Sequence, residues 1–515
     1  MANKLPPRVD QTRQLFVEDS ALDHLRGVRR KLNPLTKDPD HPVLHCDRPW
    51  EGTDIRAFGS VWREPGDGQL RMWYVARPRD PDDQRHYTTV CLATSTDGLH
   101  WEKPDLHLYD YWGNSANNIC ICPYYKSDNA TARFDTQSIL LDPQDPNPRR
   151  RYKRMAWQMP VPDKWGVGQR YPSGYYVSFS PDGLHWSQRP RPVFRLVDGI
   201  GDCMTLMHDH HRGRYTAFVK ILSSKYGAFR RCRLSEDGER YVCEDSSNKW
   251  VHATKAKPIR RMRGISYSND FVNWTEPRSI LPEDRDDPPD VQFYNNSGFT
   301  YGHMYLGFLY VYHRDTTGSI DAQLIWSRDG EVWHRAFDRT PVVPNGLDER
   351  DWDMGCHSMF TNPPIVMGDE LWFYYGSCWN RHPGGNLRVH RGTYSKGGTG
   401  FGRAKLRLDG FVSLDAGPRT GKATTRPVRL AHGALAINGD AHAGEIRAQV
   451  LRRGRPLAGF DFRSCQPLRL DRTRHLLNFK GGKLPQTGGP VRIEFALKNA
   501  KLYAFWTEPM MIPNV

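Results

Sequence analysis

The chain has 515 residues, 38% of them hydrophobic, and no run of about 18 apolar residues, which excludes a membrane-crossing helix. Lys and Arg number 73 against 58 Asp and Glu, and the formal charge of +15 favours an anionic partner such as nucleic acid, an acidic membrane or an acidic polymer. The ten Cys are scattered; Cys120 and Cys122 are the one close pair, and no second pair or His cluster completes a zinc site.

Residues 1–7 lack the apolar core of a secretory signal, so the chain reads as soluble, either cytoplasmic or secreted with its signal removed. Its 16 Trp, 23 Tyr, 21 Phe, 45 Gly and 38 Pro describe short aromatic strands between tight turns, the texture of an all-β protein. Strands are predicted first at 15–18 and 28–32. A turn motif then follows an apolar strand at 89–94: Ser95, Asp97, Gly98 and Trp101. It recurs as Ser180, Asp182, Gly183 and Trp186, and as Ser327, Asp329, Gly330 and Trp333. A variant without the Gly is Ser268, Asp270, Phe271 and Trp274.

Asp-Gly supplies a positive-φ turn, the Asp side chain caps neighbouring N–H groups, and the Trp returns to cover the turn. These residues are therefore read as structural. The Trp spacings are 85, 88 and 59 residues, the size of a four-stranded propeller blade. Further strands fall at 135–141, 151–158 and 174–180, then 202–208, 214–221 and 263–268, then 291–299, 304–312 and 319–327. A last set falls at 356–362, 370–376 and 387–394. The pattern predicts a five-bladed β-propeller over residues 1–405, with 15–18 and 28–32 closing the ring on the last blade. Alternating short strands from 406 to 515 predict a C-terminal β-sandwich.

In a propeller the innermost strand of each blade lines a central funnel, and each blade here starts that strand near an Asp. These are Asp54, Asp135, Asp202, Asp290 and Asp353. Facing carboxylates split into a protonated acid and an ionised base, which is the chemistry of glycosidic bond cleavage. An acidic funnel also suits a structural Ca²⁺, although no metal or other cofactor is required for that chemistry. Glu51, Arg56, Gln137, Asn295 and His357 lie close in sequence as ligands for sugar hydroxyls or carboxylates.

With the repeats, the five units and the trailing domain in view, the chain resembles the five-bladed propeller glycosidases of families 32, 43 and 68. The resemblance implies a catalytic set of one acid from each of the first three blades: Asp54, Asp135 and Asp202. Blade one lacks an Asn-Asp-Pro-Asn-Gly-type motif. Arg133-Phe134-Asp135 stands where the family has Arg-Asp-Pro, and Asp202-Cys203 where it has Glu-Cys.

The sequence thus predicts a glycoside hydrolase acting on a poly- or oligosaccharide, with the Arg excess pointing to a uronate- or sulfate-bearing glycan. A non-catalytic carbohydrate-binding propeller is one alternative, in which Asp135→Asn and Asp202→Asn would leave affinity unchanged. A polysaccharide lyase is another, with His208, His303 or His357 as base and an unsaturated product. No nucleic-acid motif appears and the Arg clusters do not share a repeat-related face, so nucleic acid and membrane are not expected partners. Oligomeric state is not encoded in any feature of the sequence.

Overall fold

The computed structural model is all-β. It describes residues 7–38, 42–52, 54–56, 60–77, 88–122, 132–160, 174–195, 200–224, 227–228, 232–234, 241–244, 250–252, 260–288, 291–314, 316–347, 351–360, 363–379, 381–382, 399–431, 433–484 and 489–509. Among them no helix is long and apolar enough to cross a membrane.

Antiparallel sheets follow one another along the chain. Sheet I begins at Ile55–Arg56 and Val61–Arg63, both paired with Leu70–Ala76, and continues through Thr89–Ser95 to Ile119–Ile121. Sheet II runs Ala132–Leu141, Tyr152–Pro160, Gly174–Ser180, with Ser187–Gln188 and Phe194–Arg195 outside. Sheet III runs Ile200–Asp209, Arg214–Ser224, Arg260–Ser268, Arg278–Ile280. Sheet IV runs Val291–Tyr301, Met304–His313, Ile320–Ser327, Trp333–Arg335. Sheet V runs Cys356–Phe360, Glu370–Cys378, Thr399–Arg407, and joins sheet IV through the parallel pair Ile320 and Cys356.

The turn motif does what its residues dictate. Asp97 Oδ1 accepts from the N–H groups of Leu99 and His100 at 2.8 and 2.9 Å, and Ser95 Oγ accepts from Gly98 N at 2.8 Å. Gly98 sits at φ +75°, and Trp101 Nε1 donates back to its carbonyl at 3.3 Å. The same bonds recur around Asp182, Asp270 and Asp329.

Each turn also docks on the sheet before it. The Gly183 carbonyl accepts from Trp73 Nε1 at 2.8 Å, the Asp270 carbonyl from the Arg150 guanidinium, and the Gly330 carbonyl from Tyr267 Oη at 3.1 Å. The Gly98 carbonyl, in sheet I, accepts from Tyr374 Oη in sheet V at 3.0 Å. The order of contacts is therefore cyclic.

The first strands of sheets I–IV are stitched together in the same order: Ile139 N donates to Ser60 Oγ, Leu206 N to Ser138 Oγ, and Thr205 Oγ1 to the Asn296 carbonyl. Ile55 N, at the first strand of sheet I, donates to Thr399 Oγ1 in the third strand of sheet V. At the far end of these strands Trp62, Leu140, Met207, Phe299 and Pro363, one from each sheet or its edge, surround a cavity of about 50 Å³.

Two further sheets face each other across Phe495 and Phe505, whose ring centroids are 5.5 Å apart. Sheet VI contains Ala434–Asp440, Asp471–Leu477, Ala500–Glu508 and Val412–Ala416. Sheet VII contains Gly421–Thr425, Arg492–Lys498, Glu445–Arg452 and Arg455–Pro456. Both are completed by the N-terminal segment: Gln14–Leu15 and Arg29–Leu32 join sheet VI, and Leu22–Arg26 joins sheet VII.

That placement corrects the expected ring closure. The segments at 15–18 and 28–32 belong to sheet VI or its core, and the outer strands on sheet V are Thr36–Lys37 and Leu44–His45. Leu15, Phe16, Val17 and Leu32 are buried in one core with Leu435, Ile437 and Phe505, and that burial favours their pairing there. The strand expected at 387–394 lies outside the described residues; Thr399–Arg407 is the third strand of sheet V.

Candidate active site

Asp54 and Asp202 lie at the same end of their sheets, where the first strands begin. Asp54 Oδ2 accepts from Arg56 Nε at 2.8 Å and lies 3.5 Å from Arg77 Nη1, while its Oδ1 is buried with no hydrogen-bond partner among the described residues. Asp202 keeps 39% of its side chain exposed and pairs with the ammonium of Lys220, which is only 4% exposed.

The pair fixes its own charge state. Burial pushes the Asp202 carboxyl up, but Lys220 and Arg261 outweigh it and bring the pKa down to about 2. Burial works against the Lys220 ammonium too, and Asp202 reverses that effect and raises its pKa. Both groups are ionised at neutral pH.

Beside this pair stands a wall from three sheets. Lys220 Nζ lies 4.5 Å from the centroid of the Tyr294 ring. Tyr294 Oη is 3.1 Å from His382 Nε2, and the His382 ring packs on Tyr294 and Tyr312 with centroids 4.9 and 4.8 Å apart. Arg261 donates to Gln292 Oε1 at 2.7 Å, with its guanidinium 5.6 Å from the Tyr294 ring and 5.5 Å from that of Tyr312. Burial first, then Arg261, Lys220 and Arg56, push the His382 pKa down to about 3, so its imidazole is neutral.

Other residues singled out in the sequence have different surroundings. Glu51 is fully buried: its carboxylate accepts from Tyr74 Oη, from the N–H groups of Asp47 and Arg48, and from Lys103. It holds the 49–51 turn and has no exposed oxygen for a ligand. Gln137 Oε1 accepts from buried Arg154 at 2.6 Å, and Asn295 Oδ1 from buried Arg263 at 2.8 Å. Asp353 pairs with Lys37 at 2.5 Å and accepts from Tyr375 Oη at 3.1 Å. His357 is buried beside Ser377 Oγ at 3.2 Å, and burial above all pushes its pKa down to about 4. The Asp135 side chain and all of Asp290 lie outside the described residues. The structure thus sets Arg56 against Asp54, puts Arg56 and Asp202 both within electrostatic reach of His382, and adds Lys220, Arg261, Tyr312 and His382, which the sequence reading missed.

A signal for Lys220 existed: it interrupts the apolar run Phe218, Val219, Ile221, and a charge in a buried strand requires a partner. Arg261 stood within a basic cluster read only as charge. It lies two residues from Arg263 on the same strand face, and Arg263 is wholly buried. Among the described residues no three His, Cys, Asp or Glu side chains group as metal ligands.

No protein-family model matches the sequence, and no curated protein matches it. Among solved structures the chain is remotely similar to glycoside hydrolases. A thermostable family-43 glycoside hydrolase is 10% identical, covering 72% of this chain and 95% of its own, with a TM-score of 0.41. A GH32 β-fructofuranosidase of Bombyx mori is 12% identical, covering 92% and 95%, with a TM-score of 0.39. An N-acetylgalactosamine deacetylase from F. plautii, solved with blood group B trisaccharide, is 15% identical, covering 74% and 96%, with a TM-score of 0.44.

Proposed function

We propose that the chain is a glycoside hydrolase whose sheets I–V are the blades of a five-bladed β-propeller, followed by a β-sandwich of sheets VI and VII. The cyclic order of turn docking, with the Ile55–Thr399 bond between sheets I and V, supports the propeller. The observation that carries the activity is Asp202: an ionised carboxylate, exposed to a ligand, beside an aromatic wall and on the same side of the sheets as Asp54.

Held ionised by Lys220, Asp202 suits a base, a nucleophile or a stabiliser of an oxocarbenium-like transition state. It does not suit a proton donor at neutral pH. Asp54 lies against the guanidiniums of Arg56 and Arg77, so proton donation is assigned to Asp135. Tyr294 offers a ring face and a hydroxyl to the sugar.

The test is digestion of a glycan panel by the wild-type protein and by Asp54→Asn, Asp135→Asn and Asp202→Asn, with products read by mass spectrometry and ultraviolet absorbance. New saturated sugar ends that vanish in the variants are expected. A wild-type protein that cuts nothing, or an Asp202→Asn protein that cuts at the wild-type rate, overturns the reading.

The hydrogen bond between Tyr294 and neutral His382, with Lys220 over the ring, favours a second reading, β-elimination from a uronate. Unsaturated ends absorbing in the ultraviolet would establish it instead.

A further inference from the structure

Four cations gather around the Asp54–Asp202 side of the sheets, and their compensation is uneven. Arg56 and Arg77 lie against Asp54, and Lys220 pairs with Asp202. Arg261 is different. It is half-buried, held by a neutral amide oxygen and flanked by two neutral rings, and among the described residues no carboxylate pairs with it.

A guanidinium partly removed from water, close enough to act on Asp202 but with no carboxylate hydrogen-bonded to it among the described residues, has lost hydration that an arriving anion restores. The Gln292 bond and the two tyrosines fix the orientation of the group before any ligand comes, which lowers the entropy cost of a bidentate contact. The pKa of neighbouring His382, lowered first by burial, is lowered further by Arg261, Lys220 and Arg56, against the opposing charge of Asp202.

We propose that Arg261 is an anion-recognition residue of this site, and that the sugar bound beside Asp202 carries a carboxylate or a sulfate. This assignment rests on the reading of the site as a carbohydrate site, hydrolytic or not. The sugar ring lies against Tyr294, and its acidic substituent takes the free edge of the Arg261 fork. Lys220 remains with Asp202.

The experiment measures binding of polygalacturonate, alginate and chondroitin sulfate, each beside its carboxyl-reduced or desulfated counterpart, by titration calorimetry with the full chain. The wild-type protein is expected to prefer at least one acidic polymer over its neutral counterpart by about 10- to 100-fold, the range of a charge-assisted hydrogen-bonded pair. The preference falls towards unity in Arg261→Gln. It falls part of the way in Arg261→Lys, which keeps the charge and loses the fork. In the wild-type protein it shrinks as salt is raised.

The carboxylate and sulfate arms distinguish the two sources of negative charge. Equal binding of acidic and neutral polymers, an undiminished preference in Arg261→Gln, or no binding of any acidic glycan overturns the assignment. Should Arg261→Gln fail to fold, Arg261→Lys and the salt series decide. The same tubes are read for cleavage products. Acid-selective binding without cleavage removes the enzymatic reading and leaves Arg261 in place; cleavage without acid selectivity does the reverse.

Discussion

Asp202 and Lys220 carry opposite charges in one cleft, the first exposed enough to meet a ligand and the second almost wholly covered. Removing the carboxylate alone strands a buried ammonium, so Asp202→Asn should lose about 1–3 kcal/mol of stability, a range discounted for the exposure of Asp202. Urea denaturation at pH 7 measures it. Because the folded-state pKa of Asp202 is depressed to about 2, the stabilisation is full above its unfolded pKa and is lost as pH falls through 2. Wild type and Asp202→Asn should therefore converge in stability at acid pH. His357 titrates in the opposite chemical sense with the same outcome. It is neutral when folded down to pH about 4, whereas an unfolded His binds a proton near 6.5. Stability should fall by roughly 3 kcal/mol between pH 7 and 4, and His357→Gln should flatten that part of the curve in a denaturation series across pH. Both residues show how the site was legible in part. The acids could be placed because the repeats fix the start of each first strand. Their partners could not, since Lys220 and Arg261 lie on other strands of sheet III and meet the site only once the sheet is paired.

At the level of the strand and turn, the turn motif was readable because its physics is local: an Asp, a left-handed residue and a Trp within seven positions. The exception is informative. Phe271 adopts φ +64° where the other three copies have Gly. At Gly98 an added Cβ would lie 2.3 Å from Tyr374 Oη and 2.7 Å from the Trp372 ring, and at Gly183 it would lie 2.6 Å from Trp73. Sheet II instead presents Phe179 to the third turn, and the Phe271 ring packs on it and on Tyr215. Gly98→Ala should therefore cost about 1–3 kcal/mol through strain and overlap. Phe271→Gly should also destabilise, by about 2–4 kcal/mol, because the buried ring outweighs the relief of the positive φ. Thermal melts of both variants check the pair; a stabilised Phe271→Gly would show that strain dominates at that turn. Pairing between distant segments was not readable. The two short runs at 15–18 and 28–32 have strand character but no local feature naming their partners, and their apolar side chains are buried in the core beneath sheet VI.

Across the whole molecule, the blade-like sheets and the C-terminal sheets share one apolar cluster, from Phe299 and Phe373 to Leu435 and Phe505. Asp409, fully buried at φ +62°, lies in that junction: it accepts from Arg13 at 2.5 Å, Tyr301 Oη at 2.9 Å and Asn438 Nδ2 at 2.9 Å. A chain lacking residues 1–35 removes Arg13 and strands from both sheets VI and VII. It should expose their core, and limited proteolysis should then cut within 412–508 while residues 54–407 resist longer. Residues 406–515 expressed alone should likewise fail to give a sharp thermal transition. The N-terminal stitch also sets a schedule for synthesis. Asn33 meets Ser413 across 380 residues and Val9 meets Thr507 across 498. At about 5–20 residues per second, Leu15, Phe16 and Val17 wait on the order of half a minute to two minutes for the strands that cover them. Residues 15–17 are thus made long before the strands that bury them, so a nascent chain should expose this apolar segment through most of the synthesis of residues 15–508.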